Sequence, residues 1–231
     1  MKSHTVPEDA RMEIKFVAHH SHAHTLLHWL RMHPSDFRVA HPDRWVNSLY
    51  FDTHDSLAYM ENILGSSSRA KVRYRWYGEK RLPGPGALEV KRKRNLFGWK
   101  LRYEVGRAPS WPGASWREIL NSLEEQLPPS GRAWLRTSTV PTLINRYHRK
   151  YFLTADGLIR ATVDTRQMAW DQRFSSVPEL NRRQQIADTV VVEFKFDRRE
   201  RDAASRVMQG IPVRMSRHSK YISGLEAVHR R

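Results

Sequence analysis

The chain has 231 residues, 39% of them hydrophobic, and its 40 Lys and Arg against 24 Asp and Glu leave a net charge of +16. That length and apolar content support a folded core, and the charge points to an anionic partner: nucleic acid, polyphosphate, a nucleotide or a membrane surface. The absence of cysteine excludes disulfides, thiolate catalysis and Cys-ligated zinc. Residues 1–10 read as a polar leader, which with Pro7, Glu8 and Asp9 lacks the apolar stretch of a signal peptide. No segment nears the ~20 apolar residues that cross a bilayer, so a cytoplasmic location is the expectation. With neither a fixed-period repeat nor a low-complexity linker, residues 11–231 read as a single domain.

In chain order, the pattern predicts a strand over 11–17 and a helix over 20–33, with Ala23, Leu26, Leu27 and Leu30 on one face and Pro34 as its stop. A strand follows at 46–52, then a short helix at 56–64 ended by Gly65. Strands at 69–77 and 87–93 face each other across the turn-rich Pro83-Gly84-Pro85-Gly86. Beyond them come a strand at 100–105, a helix at 116–127 stopped by Pro128-Pro129, and strands at 143–154 and 158–164 joined at Asp156-Gly157. The most apolar strand is 188–196, and helical patterns over 199–209 and 220–228 complete the chain.

Three of these strands carry a Glu-x-Lys pair: Glu13-Ile14-Lys15, Glu89-Val90-Lys91 and Glu193-Phe194-Lys195. A fourth places Arg69, Lys71, Arg73 and Arg75 at alternate positions, so each strand has one charged and one apolar face. Charged faces this rich in cations do not fit an ordinary core. An α+β fold resolves the conflict: an antiparallel β-barrel of about eight strands encloses a basic tunnel, and helices cover its apolar outer wall. A ladder of Arg and Lys suits a chain of phosphates better than one isolated group. The bland alternatives are a solvated sheet face or a nucleic-acid platform, and the second is weakened because Tyr74 and Trp76 lie opposite the arginines. His19, His20, His22, His24 and His28 crowd one stretch, and on a helix His20, His24 and His28 share a face. Without a Cys or carboxylate at matching spacing they read as structural or solvated.

The ordered set 46–53 (Val-Asn-Ser-Leu-Tyr-Phe-Asp-Thr), 69–78 (Arg-Ala-Lys-Val-Arg-Tyr-Arg-Trp-Tyr-Gly), Leu88-Glu89-Val90-Lys91, Tyr147-His148-Arg149, 159–164, Val192-Glu193-Phe194-Lys195 and Ser219-Lys220-Tyr221 resembles the VTC domain. This is the polyphosphate polymerase domain within the triphosphate tunnel metalloenzymes, the superfamily that includes the CYTH proteins. The resemblance covers roughly residues 11–225 and implies a barrel whose basic tunnel holds triphosphate or polyphosphate beside Mn²⁺ or Mg²⁺. By motif it implies that Lys15, Arg73, Arg75, Lys91, Lys100, Arg149, Arg160 and Lys220 are phosphate-binding cations, with Arg73, Arg75, Lys91 and Lys220 the expected catalytic ones; Arg69, Lys71 and Lys93 of the ladder, Lys195 and Ser219 are further expected phosphate contacts. Glu193 is the implied metal ligand. Glu13 and Glu89 are divided between metal binding and charge balance, and Asp164 between metal and lysine pairing.

Where the superfamily shows Glu-x-Glu-x-Lys, this chain has Arg11-Met12-Glu13-Ile14-Lys15, a departure that favours the VTC branch over hydrolases and cyclases. The implied partners are ATP and polyphosphate or tripolyphosphate, with no nucleic acid, and a membrane partner stays open because eukaryotic members work in a membrane complex. The implied activity moves the terminal phosphate of ATP onto a polyphosphate chain. A tripolyphosphatase or nucleoside triphosphatase and a noncatalytic polyphosphate-binding module are the alternatives.

Overall fold

The computed structural model describes residues 6–229 apart from 82, 110 and 112, so the first half of the expected leader lies outside the described residues. The chain opens with β1 (Arg11–His19), a 3-10 turn (His20–His22) and α1 (Ala23–Arg31), followed by β2 (Arg38–Asp52) and α2 (Leu57–Ile63). Next come β3 (Ser68–Tyr77), β4 (Gly86–Arg94), β5 (Phe97–Val105), α3 (Trp116–Gln126), α4 (Pro129–Thr137), β6 (Val140–Leu153) and β7 (Arg160–Asp171). The short β8 (Gln184–Gln185), β9 (Thr189–Asp197), a second 3-10 turn (Arg198–Glu200), α5 (Arg201–Val207) and α6 (Lys220–His229) complete the order.

The strands run in the order β6-β2-β3-β4-β5-β1-β9-β7-β8, and an additional β6–β7 pairing closes the first eight of them into a ring. Every ladder is antiparallel. Closure satisfies the backbone groups that an open sheet would leave at its edges. The thinnest seam is β1–β5, where Arg11 faces Gly98 and Met12 faces Phe97.

Side chains alternate across the ring wall, and the apolar ones point outward. Met12 and Phe16 of β1 and Val192, Phe194 and Phe196 of β9 bury themselves under Leu26 and Leu30 of α1 and Ala204 of α5. Val72, Tyr74 and Trp76 of β3 with Leu88 and Val90 of β4 pack under Ile119 and Leu123 of α3 and Leu135 of α4. Tyr74 and Trp76 are thus in the core, which removes them as a base-stacking platform. The hydrophobic core therefore lies between wall and helices, as the alternation in sequence requires. α6 is different: Tyr221, Leu225 and Val228 pack on Tyr50, Leu143 and Ala169, residues of the inward face, so this helix enters the ring from one end.

Several boundaries differ from those predicted. The helix expected over 20–33 starts with a 3-10 turn and becomes α-helical only at Ala23, so His20 does not share the face of His24 and His28, and all of these rings are exposed. The strand expected at 46–52 begins at Arg38, because bulges between Val39 and Arg44 let β2 carry Pro42, which cannot donate to a ladder. Pro129 does not merely end α3 but occupies the first turn of α4, where a missing N–H costs nothing. Strand 158–164 runs on to Asp171, and helix 199–209 divides into the second 3-10 turn and α5.

The β3–β4 hairpin depends on Gly86, since a Cβ there would sit 2.2 Å from the Arg75 carbonyl oxygen, closer than any side chain tolerates. Tyr74 reinforces the same turn by donating its hydroxyl to the Gly84 carbonyl at 2.6 Å. Gly86→Ala should therefore lower stability by about 1–3 kcal/mol, the usual cost of overpacking. A denaturant titration showing an unchanged midpoint would contradict this account of the turn.

Candidate functional site

The inward face of the ring gathers most of the charges singled out in the sequence. Register fixes this: Lys71 stands opposite Lys91 and Arg73 opposite Glu89 across β3–β4, Lys91 opposite Lys100 across β4–β5, and Lys15 opposite Glu193 across β1–β9. Arg160 faces Lys195 and Thr162 faces Glu193 on β7, while Arg149 of β6 faces Asp164.

Three clusters organise these groups. In the first, Glu89 is almost fully buried and draws Arg73 at 2.7 Å, Lys100 at 2.8 Å, Arg75 at 3.5 Å and Arg102 at 4.0 Å. Burial pushes the Glu89 carboxyl up, but Arg75, Arg73 and Lys100 outweigh it and hold it far below the usual carboxylate range. Burial likewise opposes the charge on Arg73, yet the Tyr50 hydroxyl and Glu89 keep its guanidinium firmly protonated. In the second, Asp164 accepts from Arg149 at 2.6 Å and from Lys220 at 2.5 Å, and these cations override burial to hold its pKa low.

The third cluster joins two strands. Lys15 lies 2.6 Å from Glu13 and 3.4 Å from Glu193, while Lys195 lies 2.7 Å from Glu193 and 3.5 Å from Glu13. Lys91 reaches Glu13 at 3.1 Å. Burial pushes both carboxylates up, and Glu193 adds to this at Glu13, but Lys15, Lys91 and Lys195, with Arg149 at Glu193, outweigh it and hold both well below the usual carboxylate range. Burial depresses Lys15 too, but Glu13 and Glu193 hold its ammonium above the usual lysine range.

Not every cation is matched. Lys71 donates to the Ser219 hydroxyl at 2.8 Å and forms no ion pair among the described residues. Burial and the neighbouring Lys91, Lys15, Arg69 and Arg73 hold it well below the usual lysine range. Lys93 is depressed by burial and by Arg69. Arg69 itself donates to the Ser66 carbonyl at 2.7 Å. Burial pushes Lys91 down to about 7, with Glu13 opposing and Lys15 and Lys195 adding. Arg160, expected among the phosphate contacts, shares the inward face but stands exposed at the end of its strand.

The C-terminal segment completes the wall. Met215 bridges to Phe16, Ser216 donates its N–H to the Lys15 carbonyl at 2.9 Å, and Lys15 Nζ donates to the His218 carbonyl at 3.0 Å. Tyr221 donates to Asp52 at 2.7 Å, and Gly224 lies so close to Leu143 that an added Cβ would meet Cδ2 at 2.4 Å. These contacts seat Ser219 and Lys220 beside Lys71 and Asp164. His218 escaped the sequence reading, though it adjoins Ser219-Lys220. Burial, Lys220 and Lys15 push its imidazole down to about 3, and its Nε2 is buried without a partner among the described residues, as is the Thr162 hydroxyl. Tyr147 was also missed as a site residue; it accepts from Arg75 at 3.1 Å.

A VTC domain family model matches residues 10–229. The chain belongs to the VTC domain family. No curated protein matches the sequence. Among solved structures, a candidate adenylate cyclase from Vibrio parahaemolyticus is similar to this VTC domain with a TM-score of 0.51 and 11% identity, over 94% of this chain and 98% of that one. A candidate adenylyl cyclase from Hippeastrum, described as having a dominant triphosphatase activity, gives a TM-score of 0.44 and 14% identity over 92% of each chain. The Vibrio likeness concerns the fold, which is the antiparallel tunnel arrangement that the VTC resemblance implies. No helix among the described residues is long and apolar enough to cross a membrane.

Two outcomes follow from this electrostatic arrangement. The carboxylates of Glu13, Glu89, Asp164 and Glu193 have folded-state pKa values below their unfolded ones. Their contribution to stability is present above about pH 4 and lost as pH falls toward the folded values, so the thermal midpoint of this VTC domain should drop steeply between about pH 4 and pH 2. Glu89→Gln, which leaves Arg73, Arg75 and Lys100 facing no carboxylate at that position, should cost about 3–5 kcal/mol in a denaturant titration. A loss below about 1 kcal/mol, the size of an exposed ion pair, would contradict the buried cluster.

Proposed function

We propose that this VTC domain is a polyphosphate polymerase-like phosphotransferase that moves the terminal phosphate of ATP onto a polyphosphate chain held inside the ring. The observation that carries the reading is the row Arg69, Lys71, Arg73 and Arg75 on one strand, continued by Lys91, Lys93 and Lys100 on its neighbours. Four cations at alternate positions extend over about 20 Å of strand, which matches a run of anionic groups rather than one. The VTC match supports the same ligand class.

The residues suit a divalent ion of the Mg²⁺ or Mn²⁺ kind. Glu13 and Glu193 share Lys15 and Lys195, so their oxygens converge on one place. No group of three or more His, Cys, Asp or Glu forms a metal cluster among the described residues, so a pair of carboxylates would hold the ion together with phosphate oxygens and water, as Mg²⁺ prefers. Glu89 is left out of this set because its oxygens are committed to Arg73, Arg75 and Lys100. When bound, the ion supplies charge neutralisation and polarisation of phosphoryl oxygens.

The chain's own residues do the rest. Arg73, Arg75, Lys91 and Lys220 hold the reacting phosphates and meet the charge that develops on the transferring group. Lys15, Lys71, Lys93, Lys100, Arg149 and Lys195, with Ser219, hold the chain in line, and Arg69 and Arg160 extend the contacts outward. A terminal phosphate oxygen of the chain attacks the γ-phosphorus of ATP; the new P–O bond forms as the bond to the β-phosphate oxygen breaks, and ADP leaves. That nucleophile is already anionic and needs no base. A cytoplasmic setting supplies ATP and Mg²⁺ together.

Purified protein incubated with ATP and Mn²⁺ or Mg²⁺ should produce long polyphosphate on a gel, and Arg75→Ala should reduce the rate about 10²–10³-fold. Orthophosphate without chains would replace this reading with a hydrolase. Tripolyphosphate binding that survives Glu193→Ala, with no turnover, would replace it with a noncatalytic binding module. In the absence of metal, calorimetry in buffers of different ionisation enthalpy should show proton uptake when tripolyphosphate binds above pH 7. Phosphate restores the charge on Lys91 and Lys71, so affinity falls as pH rises through the depressed lysine values.

A further inference from the structure

The cations of the inward face do not end where the carboxylates end. Beyond Asp164, Arg149 lies 5.1 Å from the centre of the Tyr147 ring and 5.9 Å from that of Tyr151. Lys220 Nζ lies 4.6 Å from the centre of the same Tyr147 ring. Further along, Arg44 of β2, which pairs with Arg149 across β2–β6, donates Nε to the Tyr151 hydroxyl at 3.0 Å. Its guanidinium sits 4.1 Å from the centre of the Tyr77 ring and 5.0 Å from that of Tyr151. Tyr77 is the last residue of β3, on the same face as the Arg69–Arg75 ladder, and is 38% exposed. Cations and rings thus alternate from the buried Asp164 to an open rim.

A bare phosphate chain gains nothing from aromatic rings, whose faces are electron-rich and repel anions. A nucleotide does, because its base offers a flat π-face to an aromatic ring or to a guanidinium plane. Arg44 is exposed and makes no ion pair with a carboxylate among the described residues, so no salt bridge holds its guanidinium against the Tyr77 ring. The spacing also fits: Tyr77 stands one alternate position past Arg75, about 7 Å along the strand, a gap that a ribose bridges.

We propose that Tyr77, Arg44 and Tyr151 form a nucleobase-stacking site at the rim, which takes the base of a nucleoside triphosphate while its phosphates enter the cationic row. The inference rests on the tunnel reading given above and adds the donor end of it. Stacking reads a face that every base possesses, so GTP should behave like ATP.

The test compares two ligands in EDTA, so that neither is consumed. By calorimetry, Tyr77→Leu should weaken ATP about tenfold, a change of about 1.4 kcal/mol, and leave tripolyphosphate within about twofold. Tyr77→Phe, which keeps the ring, should retain wild-type ATP affinity, and a melting curve checks that each variant is folded. Equal weakening of both ligands in Tyr77→Leu, or weakening of neither, overturns the base site but not the tunnel reading. Wild-type protein that fails to bind tripolyphosphate overturns the tunnel reading and this inference with it.

Discussion

The structure depends on keeping an excess of Lys and Arg inside a closed sheet. Desolvation and mutual repulsion both oppose this, since a buried charge is costly unless paired. The chain answers with four carboxylates, each set among several cations: Glu89 between Arg73, Arg75 and Lys100, Asp164 between Arg149 and Lys220, and Glu13 with Glu193 among Lys15, Lys91 and Lys195. The neutralisation is deliberate but incomplete. Lys71 rests on a serine hydroxyl, and burial pushes Lys91 down to about 7.

That polarity inverts the usual arrangement and explains the helices. With the ring's interior reserved for charge, the apolar faces of β1, β3, β4 and β9 look outward and need cover. α1 and α5 shield one side, and α3 and α4 shield another. α6 has the separate task of carrying Lys220 inward. It is pinned through Tyr221 to Asp52, whose carboxylate also accepts the N–H groups of Ala58 and Tyr59 at the start of α2, so one buried aspartate ties two helices to the rim of the sheet.

Much of this was legible because strands alternate strictly. Arg69-x-Lys71-x-Arg73-x-Arg75 can present four cations to one side only as a strand, and Val72, Tyr74 and Trp76 then have to meet a core. The Glu-x-Lys pairs are legible in the same way, but their roles are not, because role follows from cross-strand register. Glu13 and Glu193 meet because Lys15 faces Glu193, whereas Glu89 falls among arginines. Nothing within each tripeptide distinguishes the two cases. The bulges around Pro42 and the fold of His218 toward Lys15 were likewise beyond local pattern, since each is decided by a partner distant in sequence. His20, His24 and His28 show the reverse: the face they would share on one α-helix loses His20 when the first turn is 3-10 rather than α.

On the phosphotransferase reading, the incomplete neutralisation couples phosphate and metal. The oxygens of Glu13 and Glu193 are engaged by Lys15, Lys91 and Lys195, the same groups that a phosphate chain attracts. A divalent ion approaching those carboxylates alone has to compete with three ammonium groups at short range, where repulsion is weakly screened. An incoming phosphate gives the lysines an alternative anion and contributes oxygens that Mg²⁺ or Mn²⁺ also accepts. Each ligand thereby removes an obstacle to the other, which is positive coupling by linkage. Arg11, in place of the first glutamate of the Glu-x-Glu-x-Lys pattern, accentuates the effect, because it leaves the carboxylate pair without a third member and more of the ion's ligands would come from phosphate oxygens and water.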